Sequence, residues 1–194
     1  RSIDFKNISN YNTSKNNSKI MKKQIKEIQV HAKKAANILG TKKIEFLDFP
    51  DNEMDKISNL EITKSIEKII EIFKPDKIFT HSPYDVNVDH RLIYQATLTA
   101  TRPHSKTSVS ELYSFEVPSS TEWNFPTSFQ PNVFVDISKT LKFKLKAMSM
   151  YKTEIREFPH PRSIESLESI GKRWGSISGF KSAEVFYLVR QLQK

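Results

Sequence analysis

The sequence of 194 residues has no cysteine, only four glycines and no long hydrophobic run. The lack of cysteine excludes disulfides and cysteine-ligated zinc sites. No apolar stretch approaches the roughly 20 residues that cross a bilayer, and the first residues do not have the composition of a secretory signal. We therefore expect a cytoplasmic protein without a transmembrane segment. The motif Gly-x-Gly-x-x-Gly is also absent, which removes the usual sequence argument for a dinucleotide.

What is present is enough apolar side chain for a folded core and a marked excess of basic residues. Hydrophobic residues make up 37% of the chain, aromatic residues make up 11%, and the formal net charge is +9. The lysines are scattered along predicted helices without a block of like charges, and the aromatic–basic interleaving of an RNA-binding sheet is missing. The charge therefore favours a solvated surface. A preference for an anionic substrate or lipid surface, and nucleic-acid binding, remain weaker alternatives.

Helical and strand patterns alternate along the chain. Apolar residues at helical spacing predict helices over residues 20–39 and 60–73, after His90 up to Pro103, and over 139–152 and 163–172. Short apolar segments predict strands at 44–49, 77–80, 112–117 and 133–137, and residues 183–189 fit either a strand or a helix. This alternation predicts one α/β domain with a mostly parallel sheet flanked by helices.

The start of the sequence is unusual. It reads Arg-Ser-Ile-Asp instead of beginning with Met, and residues 1–19 are rich in Asn, Ser and Lys. This composition predicts a loop over residues 1–19. We expect residues 1–194 to be a single domain that is truncated at its N-terminus.

The segment 85–90 lies between a predicted strand and a predicted helix, where open α/β sheets collect their ligands. Asp85, Asn87, Asp89 and His90 place two carboxylates, an amide and an imidazole close together. A neutral imidazole is a zinc ligand, and an adjacent carboxylate can fix its tautomer. The alternative is that Asn87 or Asp89 only caps the helix and that His90 is a surface residue. One histidine cannot form a zinc site by itself, since about three protein ligands are needed.

The remaining histidines differ in how well their positions in the sequence suit a functional site. His81 ends a predicted strand and can face a pocket, whereas His31 is expected to be exposed on its helix and His104 lies in a polar loop. His160 stands between two prolines, and this stiff backbone suits a positioned polar group. Arg162 follows it and can bind an anionic group. The alternative for this pair is a purely structural loop.

Six stretches then form a consistent series: residues 35–40 (AANILG), 46–52 (FLDFPDN), 79–91 (FTHSPYDVNVDHR), 116–123 (EVPSSTEW), 159–163 (PHPRS) and 183–184 (AE). In order and spacing they resemble the PIG-L/LmbE deacetylases, and the resemblance covers about residues 20–190. It implies a Rossmann-like fold, a Zn²⁺ ion and hydrolysis of an N-acetyl group on an amino sugar.

The resemblance also implies roles for individual residues. In the family, a His and an Asp of an N-terminal His-Pro-Asp-Asp motif and a later His hold the metal, and the later His matches His90. The first Asp of that motif is the family's general base. The motif does not occur in these residues. The first strands, two metal ligands and the base are therefore expected to precede Arg1, and the 194 residues alone are expected to be inactive.

The other assigned residues surround His90. Asn87 stands where many relatives have a histidine that supports the oxyanion, and Asp89 would orient His90 or a neighbouring group. Asp51 and Asp85 are expected to contact the substrate, as are His160 and Arg162.

The function predicted from the sequence is a zinc-dependent hydrolase that removes an N-acetyl group from an amino sugar or sugar conjugate. Its partner would be that substrate and not a nucleic acid, and a homo-oligomer is compatible with the sequence. One alternative is a non-catalytic α/β domain that binds a sugar or partner without a complete metal site. A nucleic-acid-binding domain and a phosphoesterase with Asp and His ligands are weaker alternatives.

Overall fold

A computed structural model describes residues 15–104, 108–126 and 129–193, with side chains from Lys22 onward. The described helices are α1 (Lys15–Leu39), α2 (Asn59–Phe73), α3 (Val88–Ala100), α4 (Leu141–Met148) and α5 (Ile164–Ser178). The described strands are β1 (Lys77–His81), β2 (Glu111–Phe115), β3 (Val133–Asp136) and β4 (Ala183–Gln191). Short 3-10 turns lie at Met54–Lys56 and Thr121–Trp123. These elements confirm the predicted α/β class.

The described strands form a mixed sheet in the order β1-β2-β4-β3. Strands β1 and β2 are parallel, whereas β4 runs antiparallel to both β2 and β3. The expectation of a mostly parallel sheet therefore does not hold for this part of the chain. Two helices in succession, α4 and α5, connect β3 to β4, so the chain returns in the opposite direction and inserts between β2 and β3. Residues 183–189, left open between helix and strand, belong to β4.

Helices α2 and α3 pack on each other and on the first 3-10 turn. Met54, Ile62 and Ala96 form the buried cluster between them. The Ser58 hydroxyl accepts a hydrogen bond from the Glu61 amide at 3.2 Å and thereby caps α2, as the Ser-x-x-Glu pattern predicts. This packing fixes the position of α3, whose N-terminus carries the candidate site.

Helix α1 packs on α4. His31 is buried there, with its ring edge against the ring of Tyr151 at a centroid distance of 6.3 Å. The expectation that His31 is exposed was wrong, because the helical pattern did not show that α4 covers this side of α1. Helix α1 already begins at Lys15, so the predicted loop was also wrong for residues 15–19. Residues 1–14 lie outside the described part.

Residues 44–49 were predicted to form a strand, but they have no strand partner in the described part of the chain. Leu47 is half exposed, and so is Phe79 on β1, which forms one edge of the described sheet. An apolar pattern alone indicates a strand only when a neighbour can pair with it. None of the described helices is long and apolar enough to span a membrane.

Helix α5 reaches β4 through a close backbone contact at Gly175. A Cβ atom at this position would lie 2.7 Å from the Phe180 carbonyl oxygen and from the Ser182 backbone. The helix ends at Gly179, which has a left-handed φ of 78°. The spacing of these two glycines therefore reflects the tight turn from α5 into β4.

Candidate functional site

The site is organised around the buried side chain of Asp85 in the loop between β1 and α3. Its carboxylate accepts hydrogen bonds from the backbone N–H of Asn87 at 2.8 Å, from the Thr121 hydroxyl at 2.8 Å and from the Ser120 hydroxyl. It also lies 3.1 Å from Nδ1 of His90. Burial alone would raise the pKa of Asp85, but these hydrogen bonds hold it well below its usual range. Asp85 is therefore an ionised carboxylate inside the protein.

His90 is fixed on two sides. Its Nδ1 faces Asp85, and its ring stacks on the His81 ring with centroids 4.2 Å apart and an interplanar angle of 16°. Burial and the nearby His90 lower the pKa of His81 to about 4. Because the His90 side chain is 22% exposed and Nδ1 faces a carboxylate, Nε2 is the nitrogen left for a ligand. His81, which the sequence left as a residue that can face a pocket, thus reaches the site and supports the ring of His90.

Asn87 caps α3. Its side-chain oxygen accepts a hydrogen bond from the Asp89 amide at 2.8 Å, which confirms the capping alternative for this residue. Its side-chain nitrogen donates to the Asn52 side-chain oxygen at 3.1 Å. The Arg91 guanidinium donates to the backbone oxygens of residues 85 and 86 and closes the same loop. The loop between β1 and α3 is therefore held by hydrogen bonds to Asn52 and to Arg91.

Asp89 binds a neighbouring segment of the chain. Its carboxylate accepts the backbone N–H of Asn52 at 2.6 Å and that of Met54 at 3.0 Å. Asn52 has a left-handed φ of 55°, and its side chain donates to the exposed Asp51 carboxylate at 3.1 Å. Of the two predicted roles for Asp89, the contacts fit the orientation of a neighbouring group. Asp89 holds residues 51–54 beside α3, with Asp51 at the rim.

Besides the loop before α3 and residues 51–54, the turn Thr121–Trp123 also borders the site, and it is hydrogen-bonded to Asp85 through Thr121. The Trp123 ring contacts the His160 ring edge-on, with centroids 6.0 Å apart. His160 Nδ1 accepts the Arg162 backbone N–H at 3.1 Å, which leaves its Nε2 for another partner. The structure thus connects His160 to the turn that binds Asp85.

The predicted substrate contact does not fit the buried position of Asp85, whereas that of Arg162 stays a prediction. The Arg162 guanidinium pairs with Glu154 and lines a cavity of about 540 Å³ beneath α1. The Asp85 side chain has no exposed surface, and its oxygens are used by protein donors. Both side chains are therefore engaged within the protein.

Ser120 and Thr121 were missed as site residues, although they lie within a stretch that carried the resemblance. Their only signal was a run of hydroxyl residues after Pro118. More than thirty residues separate them from Asp85 along the chain, and no local pattern predicts that contact.

The described side chains supply part of a zinc site. His90, held through Nδ1 by a carboxylate, has the chemistry of one zinc ligand with its orienting partner. Within residues 15–104, 108–126 and 129–193, no group of three or more His, Asp or Glu side chains is placed to hold a metal ion. The described residues therefore fit one ligand of a zinc site and not a complete set.

The fold and the His90–Asp85 pair define an α/β protein with an imidazole–carboxylate site at the carboxyl end of β1. The sequence profile of the PIG-L family, described as GlcNAc-PI de-N-acetylase, matches residues 7–101. The chain is also 31% identical over 160 residues to the diacetylchitobiose deacetylase of Thermococcus kodakarensis. It belongs to the PIG-L family.

Solved structures show the same fold. The N,N'-diacetylchitobiose deacetylase of Pyrococcus horikoshii matches with a TM-score of 0.66 and 22% identity over 84% of this chain and 63% of that chain. GalB, the 4-carboxy-2-hydroxymuconate hydratase of Pseudomonas putida KT2440, matches with a TM-score of 0.64 and 22% identity over 87% of this chain and 73% of that chain. The fold thus serves more than one reaction, so the reaction must be argued from the site.

The chain spans only part of the length of the Thermococcus enzyme. The alignment to the Thermococcus enzyme covers 78% of this chain but only 58% of that protein.

Proposed function

We propose that this chain is part of a zinc-dependent hydrolase that removes an N-acetyl group from an amino sugar or sugar conjugate. The observation that carries the proposal is the His90–Asp85 pair at the carboxyl end of β1, in a chain of the PIG-L family. Relatives named as diacetylchitobiose deacetylases support the substrate class. Bound zinc would supply Lewis-acid polarisation of the acetyl carbonyl and lower the pKa of a water.

His90 would donate Nε2 to the metal, and the remaining ligands would come from outside the described residues. Asp85, which was predicted to bind substrate, instead fixes the His90 tautomer by lying 3.1 Å from Nδ1. An ionised carboxylate at this distance also makes the imidazole a stronger donor. Asp85 is thus a positioning residue, since it contacts His90 and is closed off from a substrate.

Asn87 and Asp51 would contact the substrate. The Asn87 amide group has two hydrogens, and Asn52 takes one of them. We assign the other to the oxygen of the acetyl carbonyl, where it would stabilise developing negative charge. Asp51 lies exposed on the segment that Asp89 holds, and its carboxylate can accept sugar hydroxyls. His160 would contribute Nε2 from beside Trp123.

The test is the zinc content of protein produced from its complete reading frame, compared with the His90→Ala variant. We expect about one zinc per chain in the parent protein and a large loss in the variant. His160→Ala is the matched control, because it removes a rim imidazole that is not a ligand in this proposal. Unchanged zinc in His90→Ala would rule out the ligand role. Release of acetate from N-acetylglucosamine and diacetylchitobiose then tests the reaction.

A second candidate is a non-catalytic sugar-binding domain. It is favoured by the lack of a three-residue metal cluster among the described residues. In that case sugar would bind without acetate release, and the His90→Ala variant would bind zinc no more weakly than the parent. The same two measurements therefore separate the two functions.

A further inference from the structure

The excess positive charge of the chain lies in its N-terminal part. Residues 1–44 have eleven basic and two acidic side chains, whereas residues 45–194 have twenty of each. The net charge of +9 therefore belongs entirely to the segment that contains α1. The residues assigned to the deacetylase site all follow this segment, so the proposed function does not account for the charge.

Helix α1 has an apolar stripe that extends beyond its packing partner. Ile25, Ile28, Ala32 and Ala35 follow one another at steps of three or four residues, so their side chains lie on one helix face. Ala32 and Ala35 are buried in the part of α1 that lies beside α4. Ile25 and Ile28, nearer the N-terminus, are 45% and 41% exposed. The N-terminal half of the stripe is therefore open to solvent in the described structure.

Exposed lysines border this open part of the stripe. Lys22, three residues before Ile25, is its neighbour on the helix surface, and Lys26 lies about 100° further round the helix. From such positions a lysine can lay its methylene groups along an apolar surface and keep its ammonium group in a polar layer. Residues 22–39 contain five lysines and a single acidic residue, Glu27. This half of α1 is thus apolar on one side and cationic beside it.

We propose that the N-terminal half of α1 binds the surface of a bilayer that contains anionic lipids. Ile25 and Ile28 would enter the boundary between headgroups and acyl chains, and the lysines would lie among the lipid phosphates. Helix α4, which packs on α1, adds exposed Lys142 and Lys146 and has no acidic residue. Nucleic acid would attract the same lysines but would leave the two isoleucines in water, so a lipid surface fits both properties of the helix.

Co-sedimentation with lipid vesicles tests this surface in protein produced from its complete reading frame. Vesicles of phosphatidylcholine and phosphatidylglycerol in equal amounts are the anionic probe, and vesicles of phosphatidylcholine alone are the neutral probe. We expect the parent protein to bind the anionic vesicles, to bind them less as the salt concentration rises, and to bind the neutral vesicles far more weakly.

Two variants separate the charge from the apolar contact. The triple variant Lys22→Gln, Lys23→Gln and Lys26→Gln should bind anionic vesicles about a hundredfold more weakly, at about fivefold for each lysine lost. The double variant Ile25→Ser and Ile28→Ser should bind about tenfold more weakly or worse, because two apolar side chains no longer enter the bilayer. Both should keep the parent's Tm, since all five side chains are exposed.

The controls make the same changes of side chain elsewhere and should bind vesicles as the parent does. They alter exposed residues on or directly after α2: Lys64→Gln, Lys68→Gln and Lys74→Gln as one variant, and Leu60→Ser and Ile72→Ser as the other.

Four results would overturn the proposal. They are a parent protein that does not bind anionic vesicles, a lysine or isoleucine variant that binds them as tightly as the parent, tighter binding to an RNA duplex that the isoleucine variant retains, and a parent dimer that the isoleucine variant dissociates. The last result would assign the stripe to a second copy of the chain. The His90→Ala variant keeps this inference apart from the proposed function, because it should lose zinc and still bind vesicles, whereas the lysine variant should retain zinc.

Discussion

Asp89→Asn should destabilise the protein strongly, because Asp89 holds another segment of chain in place. Its carboxylate accepts two backbone N–H groups, those of Asn52 at 2.6 Å and of Met54 at 3.0 Å. Hydrogen bonds to a charged group contribute about 1.5–3 kcal/mol each. An asparagine side chain retains one acceptor oxygen and turns an NH₂ group toward the other N–H. Its neutral form also loses about 0.3–1 kcal/mol of interaction with the N-terminus of α3.

Together these losses predict a decrease of about 3 kcal/mol in the free energy of unfolding. For a chain of this size each kcal/mol lowers the melting temperature by about 2–4 °C, so Tm should fall by about 6–12 °C. Differential scanning calorimetry measures this change. Limited proteolysis should also cut residues 50–53 faster, because their anchor is lost.

Asp51→Asn is the matched control, since it removes an exposed carboxylate from the same segment. Its Tm should stay within about 1–2 °C of the parent, as is usual for surface substitutions. A Tm of Asp89→Asn that equals that of Asp51→Asn would refute the anchoring role.

Three other substitutions test the remaining contacts. Gly175→Ala should cost about 1–3 kcal/mol of stability, because a Cβ would lie 2.7 Å from the Ser182 backbone; a denaturant midpoint equal to that of the parent would contradict the contact. Asp85→Asn should destabilise by about 1.5–3 kcal/mol for each hydrogen bond to the charged carboxylate that is lost, and it should weaken zinc binding to the complete protein about 10–100-fold. Calorimetric melting and zinc titration measure these effects, and full zinc affinity would exclude the orienting role. Glu116→Gln should keep an acceptor for the Trp174 N–H, now 2.9 Å from the carboxylate. Burial raises the pKa of Glu116, so the native protein loses stability as pH rises above the usual glutamate range. The variant should therefore gain stability relative to the parent at pH 8 compared with pH 4, and a pH-independent difference in Tm would refute this.

The sequence predicted those parts of the fold that depend on local pattern. Helix α2 has its Ser58 cap and its apolar stripe in adjacent residues, so its bounds could be predicted closely. Strand pairing depends on partners that are distant in the chain. The apolar pattern of residues 44–49 therefore did not show that the described part contains no neighbour for them, and the direction of β4 depended on how two helices pack.

In the site, too, local features could be predicted from the sequence, and contacts between distant residues could not. His90 could be predicted because its residue type and its place after a strand are local features. The roles of the two carboxylates were harder to predict, because adjacency in the chain favoured Asp89 as the partner of His90. Adjacent residues on a helix point in directions about 100° apart and do not face each other. The partner is Asp85, which lies in the preceding loop.

This arrangement bears on how His90 can act. A buried carboxylate needs compensation for its charge, and a protonated imidazole is one source. Here the backbone N–H of Asn87 and the hydroxyls of Ser120 and Thr121 already donate to Asp85. The charge of Asp85 is therefore stabilised by these neutral donors as well as by its contact with His90. By holding Asp85, these three donors, two of which are more than thirty residues away along the chain, help to fix the orientation of the His90 ring.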